Sequence, residues 1–95
     1  MADASQAIYS LDELRTYVHQ TLCARENLLP DQSPLSEAPL TRGGRRCGLQ
    51  FCVQGPRSVR LTGIWVTDEN VLYFYDARGE RFQKVALRYR ISFAA

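Results

Sequence analysis

The sequence predicts an α+β domain in which one N-terminal amphipathic helix packs on a four-stranded antiparallel β-meander. Three observations carry that expectation. Apolar residues between positions 10 and 29 recur at the helical period, those from Cys47 onward alternate, and turn-forming residues separate the alternating runs.

Residues 1–7 are small and polar and read as a frayed tail. Ser10 then opens the helix. With Glu13 it forms a capping box, in which each side chain answers an orphan backbone N–H of the other. Tyr9 and Leu14 stand where a hydrophobic staple would close. Leu11, Leu14, Tyr17, Val18, Thr21, Leu22 and Leu28 make one stripe; Asp12, Thr16, His19, Gln20, Cys23 and Glu26 lie opposite. Pro30 lacks a backbone donor and ends the helix at about Leu29.

Residues 30–46 hold three of the four prolines and the Gly43-Gly44 pair, and read as a long Pro/Gly-rich loop. Such length is unusual in a compact domain, and Leu35 and Leu40 could pin the loop across apolar surface. No GxxxxGK[ST] pattern accompanies the glycines, so this is not a phosphate loop.

From 47 to 93 the period is two. CGLQFCV, SVRLTGIWVT, NVLYFYD and ERFQKVALRYRISF are rich in β-branched and aromatic residues. Gly55-Pro56-Arg57 breaks the first pair. Asp68-Glu69-Asn70 and Asp76-Ala77-Arg78-Gly79 suit type I turns, with Asn70 and Gly79 in the left-handed region.

If each hairpin loop has three residues, odd positions share one face throughout. That face carries Leu49, Phe51, Val53, Val59, Leu61, Trp65, Val71, Tyr73, Val85, Leu87 and Ile91, and the helix should cover it. The second face then carries Ile64, Phe74 and Phe82 in one row, with Val66, Leu72 and Lys84 beside it and Arg60, Arg88 and Arg90 at its rim. The second face of an antiparallel sheet is normally polar. An apolar centre there demands a cover, either the tail or the 30–46 loop through Ile8, Leu35 or Leu40, or a partner.

Length and composition bound the function. Ninety-five residues make one domain, 45% hydrophobic and 23% charged, which excludes wholesale disorder. No apolar run reaches the ~20 residues of a membrane helix, and MADASQAIYS lacks the features of a signal peptide. A cytoplasmic domain with no membrane partner is expected. Residues 1–40 carry two arginines against six acids (−4), residues 41–95 ten basic groups against four acids (+6), for a net +2. Eleven of the twelve basic groups are arginine. Three cysteines preclude a complete disulfide framework and suit free thiols in a reducing compartment.

Chemistry-bearing constellations are weak. His19 and Cys23 are neighbours on the helix and, with Cys47 and Cys52, spell H-x3-C…C-x4-C. The helix pair is expected to face solvent and the strand cysteines opposite sides, whereas zinc needs convergent ligands. Asp68, Glu69, Asp76 and Glu80 sit in turns rather than facing a pocket. No catalytic, cofactor or metal site is expected, and the protein is not expected to be an enzyme.

The expected function is therefore that of a small interaction module, docking a protein or a second copy as a homodimer through its second sheet face. The alternative is single-stranded nucleic acid, with Phe74 and Phe82 stacking bases and Arg60, Lys84, Arg88 and Arg90 meeting phosphates.

Overall fold

The computed structural model describes residues 2–91, without the side chains of residues 2–4; Met1 of the expected tail and residues 92 and 93 of the expected last strand lie outside the described residues. The element order is β1 (Ala2–Gln6), α1 (Leu11–Arg25), β2 (Leu35–Arg42), β3 (Arg45–Gln54), a 3-10 turn (Pro56–Ser58), β4 (Arg60–Val66), β5 (Val71–Tyr75) and β6 (Arg81–Leu87). The six strands of the described residues join one sheet in the order β1-β6-β5-β4-β3-β2. The α+β class is as expected, and the meander forms the middle of the sheet. The expected tail and loop instead supply its two edges.

Strand β1 lies parallel to β6, with Ala2 opposite Gln83 and Gln6 opposite Leu87. A short run without apolar alternation looks like a tail, yet its backbone groups complete the β6 ladder. The expected 30–46 loop contains β2, antiparallel to β3. Gly43 and Gly44, at φ of 58° and 81°, join Arg42 to Arg45 in a two-residue turn that needs both left-handed positions. Pro39 can sit in β2 because that strand is an edge.

The helix is shorter than expected. Ser10 Oγ accepts from the Glu13 N–H at 3.1 Å, while the Glu13 carboxylate accepts from the Tyr9 N–H at 3.0 Å rather than from Ser10. The staple does not form. Tyr9 stacks on Tyr89 with ring centroids 4.8 Å apart, and Ile8 is the residue buried beside Leu14 in the core. The helix stops at Arg25, four residues before Leu29. Asn27 takes φ of 54°, and the Leu28 N–H donates to the Cys23 carbonyl at 2.8 Å. This is a left-handed cap of Schellman type, and it acts before Pro30 can.

The loop lengths also move β5. Thr67, Asp68, Glu69 and Asn70 separate the paired Val66 and Val71, one residue more than a three-residue loop allows. Strand β5 is thereby turned over. A bulge opposite Phe74 and Tyr75 leaves Phe82 as the extra residue and returns Val85 and Leu87 to the inner face. The core rows run Leu49, Trp65, Leu72, Val85 and Phe51, Gly63, Phe74, Gln83 across β3 to β6. Leu14, Val18 and Leu22 of α1 pack on them, all fully buried. Gly63 permits the approach, since a Cβ there would lie 3.2 Å from Val18 Cγ1.

Candidate functional site

The register places three rows of side chains on the face away from the helix. Gln50, Ile64, Tyr73 and Lys84 form the middle row across β3 to β6, with Ala38 of β2 beyond Gln50. One flank carries Leu40, Gly48, Val66, Val71 and Ala86; the other carries Ser36, Cys52, Thr62, Tyr75 and Arg81. Ile64, Val66, Val71 and Tyr73 are half-buried.

No element lies over this face among the described residues. The helix occupies the other side, and β1 and β2 pair at the edges. The connections also turn toward the helix. Ser33 accepts from the His19 Nε2–H at 2.7 Å through its carbonyl, Val59 and Ile91 pack on the core, and Arg25 reaches Asp76 at 3.8 Å. Both segments expected as covers are used elsewhere. Ile8 is core, Leu35 packs against the core, and Leu40 belongs to the apolar flank of the open face itself.

Several expected site residues change sides. Ile64, Val66, Arg60 and Lys84 lie on the open face as expected. Leu72 and Phe74 do not: both are fully buried against the helix, because the longer 67–70 connection turned β5 over. Val71 and Tyr73, expected in the core, take their places outside. Phe82, displaced by the bulge, lies at the core margin with its ring centroid 6.0 Å from that of Phe74 and the Arg25 guanidinium 4.6 Å over it. Arg88 and Arg90 lie beyond the end of β6 and are exposed. The aromatic pair on which base stacking rested is therefore absent from the open face.

What replaces it is more polar. Arg81 stands 5.2 Å from the Tyr73 ring centre and Lys84 6.0 Å, so one tyrosine is flanked by two cations. The Tyr73 hydroxyl donates to Glu69 at 3.1 Å, and that bond together with burial and the nearby carboxylate pushes its ionisation upward.

In the outer row, Cys52 Sγ accepts from Arg60 Nη2 at 3.4 Å and from Gln50 Nε2 at 3.6 Å, with Thr62 Oγ1 at 4.0 Å. Burial pushes this thiol up, but the Arg60, Gln50 and Thr62 contacts outweigh it and bring it below its ordinary value. Cys52 was legible only as a strand residue opposite in phase to Cys47; its neighbours come from register.

The helix pair also differs from expectation. Cys23 is buried in the core, where burial pushes its thiol up, and His19 bridges α1 to the 30–34 segment. Among the described residues, no three of histidine, cysteine, aspartate or glutamate gather as metal ligands. No helix of the described residues is long and apolar enough to cross a membrane. Compared with known proteins, the chain matches no family model, no curated sequence and no solved structure.

Proposed function

We propose that this protein is a non-catalytic interaction module that docks a protein, in the first instance a second copy of itself, through the open sheet face. Ile64, Val66, Val71 and Tyr73 are the anchors, and Arg60, Arg81 and Lys84 the polar rim. One observation supports this above the others: the sheet's second face keeps an apolar centre although, among the described residues, the helix and both segments expected as covers pack elsewhere. Apolar anchors within a polar rim are the usual layout of an interface, and sheet-on-sheet packing buries such a face efficiently.

The test is the solution mass at micromolar concentration in 50 and 500 mM salt, for wild type and Ile64→Asp. A mass of about twice 10.8 kDa, unchanged or strengthened at high salt as the basic rims are screened, is expected for the wild type. Ile64→Asp should be a folded monomer. Phe74→Asp, by contrast, should unfold the chain, because it buries a charge under the helix. A wild-type monomer at both salts would remove the second copy and leave a foreign protein as occupant. An Ile64→Asp chain that cannot fold would sink the reading altogether.

A further inference from the structure

The end of the sheet bearing the Gly43-Gly44 turn gathers positive charge. Register sets Arg42 directly opposite Arg45, and Arg46 opposite Thr41. Like charges facing each other directly across strands destabilise a hairpin. Among the described residues, neither Arg42 nor Arg45 meets a carboxylate within ion-pair distance. Together with Arg46, Cys47 and Asp68 they line a cleft of about 250 Å³.

The basic character continues along the same end. The Thr67 N–H donates to the Cys47 carbonyl at 3.1 Å, joining the 67–70 turn to β3. Arg90 Nη1 donates to the Thr67 carbonyl at 2.6 Å, which fixes its guanidinium beside that turn. Arg88 follows β6, its backbone N–H on the Gln6 carbonyl at 3.1 Å, with its side chain exposed. Of the acids in the 67–70 turn, Asp68 lines the cleft and Glu69 is engaged by Tyr73. From β3 to β6 the row crosses three inter-strand spacings, roughly 14 Å, more than a single phosphate spans.

We propose that this edge binds the phosphate backbone of a single nucleic-acid strand, Arg42 and Arg45 gripping one stretch and Arg90 and Arg88 the next. The planar guanidinium fork suits phosphate oxygens, and a bound anion relieves the Arg42–Arg45 repulsion. A bilayer surface fits less well. Anchoring there takes apolar insertion as well as charge, and Thr41, Arg42, Gly43, Gly44, Arg45 and Arg46 offer no apolar side chain. The site is separate from the open-face reading and stands or falls without it.

The experiment follows the anisotropy of a fluorescent oligothymidylate of about 20 nucleotides titrated with the full chain between 50 and 200 mM salt. Wild type is expected to bind, with affinity falling as salt rises. Arg42→Gln/Arg45→Gln should lower the slope of log affinity on log salt by about 1.4, two contacts at ~0.7 each. It should melt no lower than wild type, because it removes a like-charge pair. Arg57→Gln/Arg78→Gln takes the same charge from the opposite end of the sheet and should leave the slope unchanged. No binding at 50 mM salt, or equal losses in the two double variants, would overturn the site. So would capture by phosphatidylserine vesicles with no response to the oligonucleotide.

Discussion

Asn70 shows how much one residue can hold. Its backbone takes φ of 55°, a left-handed position that asparagine tolerates better than most residues. Its side chain accepts from Trp65 Nε1 at 3.1 Å and donates to the Leu87 and Tyr89 carbonyls at 3.2 and 2.8 Å. The 67–70 turn, the core tryptophan and the end of β6 are thus tied at one buried point. Asn70→Ala should cost about 3 kcal/mol, near 1 kcal/mol for each side-chain bond, read as a lower urea midpoint at unchanged slope. Loss of less than ~1 kcal/mol would mean that water replaces these bonds freely. Cys52 offers a second measurement at this scale. Arg60→Ala removes a contact that favours the thiolate, so iodoacetamide alkylation of Cys52 should slow at neutral pH and its rate profile move to higher pH. An unmoved profile would mean that the guanidinium does not hold the thiolate in solution.

Among the elements, the turn between β5 and β6 is closed by one carboxylate. Asp76 Oδ1 accepts from the backbone N–H groups of Glu80 at 3.0 Å and Arg78 at 2.9 Å, while Arg25 approaches Oδ2 at 3.8 Å. The Glu80 N–H bond is the largest influence, and with Arg78 and Arg25 it holds the Asp76 carboxyl below its ordinary 3.8 despite the opposing effect of burial. A carboxyl that titrates lower when folded adds stability above its unfolded value, lost as pH falls through the folded one. The stability advantage of wild type over Asp76→Asn should therefore be full at pH 7 and shrink below about pH 4. Urea unfolding of both proteins at pH 7, 4 and 3 checks it, and a difference that does not vary with pH would remove the carboxylate from this role. The elements most legible in the sequence are of this local kind. Ser10 accepting from the Glu13 N–H, and the left-handed backbones of Asn70 and Gly79, each act within a few residues and take the role their chemistry suggests. The helix end was misplaced because Asn27 resembles any polar helix residue until Leu28 is seen bonding back to Cys23.

For the whole molecule, the open face and the basic edge belong to one arrangement of strands. Central strands β3 to β6 were readable because alternating apolar residues must turn one way. Strands β1 and β2 were not, since ADASQ and LSEAPLTR carry no alternating apolar pattern and are ordered by pairing with β6 and β3. The candidate face was half legible. Ile64, Val66, Arg60 and Lys84 keep their side because the β3–β4 pairing and the inner part of β6 have the expected parity. Leu72, Phe74 and Phe82 exchange places with Val71 and Tyr73 through one extra turn residue and one bulge. By itself, then, the sequence determined the class, the helix start, the central hairpins and an apolar surplus on the sheet. Only the tertiary structure decided which β5 side chains face solvent, what becomes of the two end segments, and where the arginines gather. The reason is that strand phase has a period of two, so a single residue in a connection reverses a whole strand, and no local propensity is sensitive to that count.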